Sequence, residues 1–227
     1  MGFVFSMAYP ESLSLALIVL ALLAAFGDRW LLAAGLMAAA ALVRPESVFF
    51  AIPLAGIAWS RRRKLGPSAR GHAIAACLAG PVGVATYPLY LDWALGNPNA
   101  WGAAQSYWGR AFRLTGPLHA VEHLPSALGY QPWLTRDLVL LIVYALLLVA
   151  ARRAGVGLTW IAAAALILAL PLFSGSVMSE GRFGLLALPV LWGLAALTRR
   201  QWVERAVQAC CLALLVGGVL TLPYFWP

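Results

Sequence analysis

Long apolar segments separated by short polar ones extend along almost the whole chain. Eight of them are predicted to be helices, at about Ser12 to Gly27, Trp30 to Val43, Ser47 to Ser60, Gly71 to Asp92, Asp137 to Ala151, Gly157 to Phe173, Phe183 to Thr198 and Ala206 to Leu222. Several are shorter than the roughly 20 residues that a perpendicular membrane span needs. The second and third, split at Arg44-Pro45, are predicted to be shallow spans or a broken re-entrant pair. The pattern predicts an all-α, polytopic integral membrane protein with about eight transmembrane or re-entrant helices.

One long segment, Trp93 to Arg136, interrupts this pattern and is predicted to be an extracytoplasmic loop. Four of its residues recur at i, i+4, i+7 and i+11 and therefore share one helix face: Trp101, Gln105, Trp108 and Phe112. The spacing predicts a helix from Trp101 to Phe112 that lies in the headgroup region of the bilayer. Arg110 and Arg113 would point elsewhere and be available to an anionic group. An interfacial spacer without a ligand is the alternative interpretation.

The composition supports a membrane location. Of the 227 residues, 63% are hydrophobic and 11% charged, which is more apolar surface than a soluble domain of this size could bury. A composition rich in Ala, Leu and Gly, with Arg preferred to Lys, indicates a bacterial plasma membrane and a multi-pass protein. The net charge of +8 is explained by topology, so no nucleic-acid partner is predicted. All three cysteines fall in apolar runs and are predicted to be packing residues.

The charges divide unequally between the two sides of an eight-span topology. If the N-terminus is outside, the inner loops carry Arg29, Arg61, Arg62, Arg63, Lys64, Arg70, Arg152, Arg153, Arg199, Arg200 and Arg205, opposed only by Asp28 and Glu204. The outer segments carry Arg44, Arg110, Arg113, Arg136 and Arg182 with Glu11, Glu46, Asp92, Glu122, Asp137 and Glu180. Cytoplasmic loops of membrane proteins are enriched in Lys and Arg, so the first group is predicted to face the cytoplasm.

Several outer polar residues lie where an apolar segment begins. A Pro-Glu-Ser element at 10–12 recurs 35 residues later at 45–47, each time at the start of a predicted helix. Proline in a first turn and a carboxylate at the positive end of the helix dipole are ordinary helix-start features. Because charges at the bilayer edge are costly unless paired or used, the second interpretation is a polar, outward-facing site. Its predicted members are Glu11, Arg44, Glu46, Arg110, Glu180 and Arg182.

No cofactor or metal is predicted. His119 and His123 lie four residues apart, but no third ligand is evident in the sequence. Neither a P-loop nor a dinucleotide-binding glycine motif is present.

Four segments together resemble the PIG-V-type mannosyltransferases, the second mannosyltransferase of GPI-anchor synthesis and its bacterial relatives. They are Ala8-Tyr9-Pro10-Glu11-Ser12-Leu13, Val43-Arg44-Pro45-Glu46 with Ser47 where the family has glycine, Ala104-Gln105 to Trp108-Gly109-Arg110 after Gly96-Asn97-Pro98, and Ser179-Glu180-Gly181-Arg182-Phe183 followed by Pro189. They occur in the order found in the family, and all fall on the predicted outer side.

The resemblance implies a GT-C glycosyltransferase, which is a polytopic helical enzyme. Such an enzyme would move mannose, with inversion, from a polyprenyl-phosphate donor to a lipid-linked or glycan hydroxyl on the extracytoplasmic side. A carboxylate would act as general base, and arginines would hold the carrier phosphate. The residues implied to bind substrate or carrier are Tyr9, Glu11, Arg44, Glu46, Gln105, Trp108, Arg110, Glu180 and Arg182.

The chain departs from the family in one respect. The family's catalytic acidic residue lies in the first outer loop, whereas the recognisable motifs here begin at Tyr9. We therefore expect residues 1–227 to be the C-terminal part of a larger GT-C fold, with the catalytic residue outside this chain, which leaves open whether the chain is active alone. Two alternatives come from other classes of protein. One is a transporter or channel subunit, with Pro45, Pro81 and Pro171 as helix-breaking features, and the other is a non-catalytic membrane scaffold.

Overall fold

The computed structural model describes residues 10–107, 111–130 and 132–225. These residues form eleven α-helices and one 3-10 helix, with no β-strand in the described ranges, which confirms the predicted all-α class. The α-helices are α1 Glu11–Phe26, α2 Trp30–Val43, α3 Ala51–Arg61, α4 Pro67–Leu95, α5 Ala100–Tyr107, α6 Gly116–Tyr130, α7 Pro132–Arg153, α8 Leu158–Phe173, α9 Glu180–Leu186, α10 Leu188–Leu197 and α11 Gln201–Phe225. The 3-10 helix, Pro45–Phe50, leads directly into α3.

Each of the eight predicted apolar runs coincides with helical structure. The second run has the predicted bounds, Trp30–Val43. The seventh is two helices, α9 and α10, which are bent by 82° relative to each other. The break falls at Ala187, just before Pro189 near the start of α10. Proline suits a first helical turn, where its missing N–H costs no hydrogen bond, so the sequence favours a new helix at this point.

The predicted helix from Trp101 to Phe112 is only partly correct. Helix α5 ends at Tyr107, and the predicted positions 108–110 lie outside the described residues. Phe112 is not helical, and its ring stacks on Phe173 at 5.5 Å between ring centroids. The predicted helix therefore does not extend to Phe112, whose side chain packs against the end of α8. A further helix, α6, occupies the same loop and was not predicted.

Two described helices are long and apolar enough to cross a membrane: α4 and the segment Leu134–Arg153 of α7. The bent pair α9 and α10 adds a third if it forms one span. Helices α1, α2 and α8 are apolar but shorter. These helices are compatible with a membrane protein, and a full set of eight crossings stays a prediction.

Close helix contacts depend on small side chains. A Cβ placed on Gly83 of α4 would lie 3.0 Å from the carbonyl oxygen of Ala38 in α2. On the other side of the bundle, a Cβ on Gly193 of α10 would overlap the Leu147 carbonyl of α7, and one on Gly184 of α9 would overlap the Tyr144 ring. Small residues allow backbones to approach each other closely, which is how helices pack in a lipid environment.

Three pairs of side chains show that α1 runs parallel to the unit made by the 3-10 helix and α3. Side-chain hydrogen bonds join Glu11 to Arg44, Ser14 to Ser47, and Asp28 to Arg61, and the members of each pair are 33 residues apart.

The two ends of the bundle differ in charge. We call the end that contains Glu11, Glu46, Asp137 and Glu180 the carboxylate end, and the end that contains Arg61 to Lys64 and Arg70 the basic end.

Candidate functional site

Glu11 lies at the centre of an ion network at the carboxylate end. It is fully buried, and its Oε1 accepts hydrogen bonds from Arg44 Nη1 at 2.6 Å and Arg182 Nε at 2.7 Å. Arg182 Nη2 lies 2.6 Å from the same oxygen. Its second oxygen, Oε2, is buried and accepts no hydrogen bond from the described residues. One carboxylate therefore joins α1, the start of the 3-10 helix and α9.

Arg44 is held on both sides by carboxylates. Besides Glu11, it forms a two-pronged pair with Glu46, with Nη2 at 2.9 Å from Oε1 and Nε at 3.1 Å from Oε2. Its guanidinium carbon also lies 5.4 Å from the centre of the Phe183 ring. The residue is nearly buried and has an extended backbone between α2 and the 3-10 helix. The planar fork of arginine suits such a two-point contact, which a lysine ammonium could not reproduce.

The two Pro-Glu-Ser elements begin helices as predicted, but their side chains do not cap those helices. Glu11 is the first residue of α1, and Glu46 lies in the first turn of the 3-10 helix. Neither helix start has a side-chain capping hydrogen bond. The carboxylates pair with Arg44 instead, and below them the hydroxyls of Ser14 and Ser47 are 2.9 Å apart. The helix-start position and the polar recess are thus both present.

The network formed by Glu11, Glu46, Arg44 and Arg182 contains two positive and two negative side chains and is close to neutral. Arg182 is its most exposed member, with 27% of its side chain accessible. A ligand that reaches the network would therefore meet Arg182 first.

A second polar cluster adjoins the network through α9. Glu180 is fully buried, and neither of its carboxylate oxygens has a hydrogen-bond partner among the described residues. Asp137, also buried, lies close enough to Glu180 to interact with it electrostatically. Burying a charge without a partner is costly, so a buried unpaired carboxylate is a mark of function in a membrane protein more often than of stability.

Asp137 also fixes the turn that leads into α9. Its Oδ2 accepts the Ser179 backbone N–H at 2.8 Å. Ser179 has φ = 72°, in the left-handed region that non-glycine residues rarely adopt. The Tyr144 hydroxyl approaches the Gly181 carbonyl oxygen at 3.4 Å. This strained turn places Glu180 inside the protein and Arg182 beside Glu11.

Asp137 and Tyr144 are not among the site residues predicted from the sequence. A signal existed for Asp137, which is an acidic residue at the start of an apolar run. No signal existed for Tyr144, because it lies in the middle of an apolar segment where aromatic residues are ordinary packing groups.

Four predicted site residues lie either outside the described residues or on a separate helix. Tyr9, Trp108 and Arg110 lie outside the described residues. Gln105 lies half-buried on α5, which packs against α4. The structure thus joins Glu11, Arg44, Glu46 and Arg182, places Glu180 next to them, and does not bring Gln105 into the network.

The described residues contain no group of three or more His, Cys, Asp or Glu side chains that could hold a metal ion. The His119 and His123 rings stack on each other at 3.9 Å between centroids.

No protein-family model, curated protein or solved structure matches the chain. The resemblance of the four segments therefore stays a prediction, and the function has to be argued from the network itself.

Proposed function

We propose that the chain is a membrane-embedded glycosyltransferase that moves a sugar, mannose by the family resemblance, from a polyprenyl-phosphate donor to a lipid-linked or glycan hydroxyl. The carboxylate end would face outward from a bacterial plasma membrane, with about eight helices in the bilayer. The observation that supports the proposal is the meeting of three family-like segments at Glu11. Arg44 and Arg182, which lie 33 and 171 residues from Glu11 in the sequence, both donate to its Oε1.

Convergence of this kind supports a site rather than two ordinary helix starts. A carboxylate that only favours the helix dipole needs no arginine from another helix. Here the Glu11 carboxylate is bonded by arginines from two other elements, and its Oε2 is left without a partner among the described residues. Because Oε2 is buried, the exposed edge of Arg182 is the part of the network that a substrate would contact.

The transfer itself would break the bond between the anomeric carbon and the carrier phosphate oxygen and form a bond from the same carbon to the acceptor oxygen. The phosphate leaves with the electron pair, and the acceptor proton passes to a carboxylate base. The resemblance implies that this base is an acidic residue of an outer loop. Arg182, with Arg110, would stabilise the negative charge on the departing phosphate.

The test is mannose transfer from polyprenyl-phosphate-mannose in membranes of cells that express the gene in its native context. Arg182→Ala should lower transfer about tenfold to a hundredfold, because a charge-assisted hydrogen bond contributes roughly 1.5–3 kcal/mol. Arg182→Lys should restore only part of the rate, since a point charge lacks the planar fork.

Arg113→Ala is the matched control. Arg113 is an exposed arginine at the same end, and its described contact to the Phe173 carbonyl is made by its backbone N–H, which the substitution keeps. Transfer at the wild-type rate by both the Arg182→Ala and the Arg113→Ala proteins, at equal amounts in the membrane, would rule out the phosphate role of Arg182. If transfer falls only in proportion to the amount of folded protein, the result favours a non-catalytic membrane scaffold.

One observation favours a transporter as the second candidate. The bend of 82° between α9 and α10, with buried Glu180 at the start of the pair, is a feature of transporter substrate and ion sites. Proton flux into liposomes, followed with an internal pH dye, distinguishes the two. A transporter predicts a flux that Glu180→Gln abolishes, and the transferase predicts none.

A further inference from the structure

A groove lies between α3 and α4, far from the carboxylate end. It has a volume of about 450 Å³, within the roughly 300–1,000 Å³ range of small-molecule sites. Its walls are mostly apolar, with Ala55, Ala58, Ala73, Ile74, Cys77 and Leu78 among the lining residues. Ile74 and Leu78 are more than half exposed, so the groove opens on a face of α4, one of the two helices able to cross a membrane.

Two arginines line the groove at its basic end. Arg62 directly follows the last residue of α3, and Arg70 lies near the start of α4. Arg62 lies over the Trp59 ring at 4.0 Å and donates to the Trp59 carbonyl at 2.7 Å, while Arg70 Nε donates to the Leu65 carbonyl at 3.0 Å. These contacts hold both side chains in place. Each guanidinium has further N–H donors that do not take part in these contacts.

The surrounding charge is strongly positive. Arg61, Arg62, Arg63, Lys64 and Arg70 lie within ten positions. In the described part of the chain, only Arg61 of these five pairs with a carboxylate, that of Asp28. Basic clusters next to a membrane helix attract anionic lipids by about 1 kcal/mol for each Lys or Arg near the surface.

We propose that this groove binds one anionic phospholipid of the bilayer. An acyl chain would lie along the apolar walls between α3 and α4, and the headgroup phosphate would accept hydrogen bonds from Arg62 and Arg70. The inference is independent of the glycosyltransferase proposal, because it concerns the opposite end of the bundle and would hold equally for a transporter.

The test is native mass spectrometry of the full chain released from detergent with phosphatidylglycerol or phosphatidylcholine of identical acyl chains. Phosphatidylglycerol should bind at least about tenfold more tightly than phosphatidylcholine. The double variant Arg62→Gln/Arg70→Gln should lose about tenfold to thirtyfold in phosphatidylglycerol affinity. Arg152→Gln/Arg153→Gln, which removes the same charge at the end of α7, is the matched control and should lose much less.

A second variant tests the binding of the lipid acyl chain separately from that of the headgroup. Ala55 is exposed and lines the groove, so Ala55→Phe fills the groove while keeping both arginines. It should weaken phosphatidylglycerol binding, whereas the soluble headgroup glycerophosphoglycerol should compete weakly or not at all with the lipid. Equal affinities for the two lipids, or equal losses in the two arginine double variants, would overturn the proposal. So would unchanged binding by the Ala55→Phe protein.

Discussion

Two ion pairs at opposite ends of the bundle have almost the same local description. Glu11 pairs with Arg44 at 2.6 Å and Asp28 pairs with Arg61 at 2.7 Å, each across 33 residues between the same two parallel elements. The side chain of Glu11 is 0% exposed, and that of Asp28 is 57% exposed. Buried pairs are costly to break because one charge is left without water, whereas exposed pairs contribute little. Burial therefore decides which of the two pairs matters for folding.

The difference extends to the whole of each end. At the carboxylate end, Arg44 and Arg182 pair with buried or nearly buried carboxylates, so their charges are largely balanced within the protein, and Arg182 is the arginine that stays partly exposed. At the basic end, most of the cations between 61 and 70 have no carboxylate partner among the described residues. Their charge is directed outward. The charges of the first end are therefore mostly internal to the protein, whereas those of the second are open to an anionic partner, for which we propose a lipid headgroup.

The largest expected effect is a loss of stability when the buried pair is broken. Glu11→Gln should lower the free energy of unfolding by at least about 3 kcal/mol, because it leaves two arginines facing a neutral amide. Asp28→Asn is the matched substitution at the basic end and should cost at most about 1 kcal/mol. Asparagine also tolerates the positive φ of 57° at this position, so backbone strain does not enter the comparison.

Both free energies are measured by chemical denaturation in the same detergent. Equal losses in free energy of unfolding for the two variants would show that burial does not make the Glu11 pair more important than the Asp28 pair. A loss below about 1 kcal/mol for Glu11→Gln would contradict the central role of this carboxylate.

A smaller loss of stability is expected when the contact between α9 and α7 near Glu180 is disturbed. Gly184→Ala should destabilise by about 1–3 kcal/mol, because the new methyl group would overlap the Tyr144 ring. Gly35→Ala in α2 is the control, since a Cβ there meets nothing within 4 Å. It should be neutral or stabilise by up to about 1 kcal/mol, as alanine favours helix more than glycine does. Similar destabilisation by both variants would contradict the contact.

The helices could be predicted from the sequence better than their packing. Apolar length alone located α2 and α8 to within a residue. The loop from 93 to 136 was less well predicted, because α6 carries His119, Glu122 and His123 among its apolar residues and has no long apolar run. The sequence also did not predict that Pro45–Phe50 is a 3-10 helix, because proline indicates a helix start without specifying the type of helix.

Part of the ion network could be predicted as a set of residues but not as a geometry. Proline, glutamate and arginine at the edges of apolar runs identified Glu11, Arg44, Glu46 and Arg182. A helix that is apolar all round gives no periodic signal for the face that packs inward. For this reason the sequence did not show that Glu11 receives both arginines, or that Asp137 holds the turn before Glu180.

Segments distant in the sequence form one buried network at Glu11. A double-mutant cycle between Glu11→Gln and Arg182→Gln tests it most directly, because these residues are 171 positions apart and joined at 2.7 Å. The unfolding free energies of the wild type, the two single variants and the double variant are measured under one condition. We predict a coupling of about 1–3 kcal/mol, against less than about 0.5 kcal/mol for Asp28→Asn with Arg61→Gln. Additivity of the Glu11 and Arg182 effects to within about 0.5 kcal/mol would contradict the network.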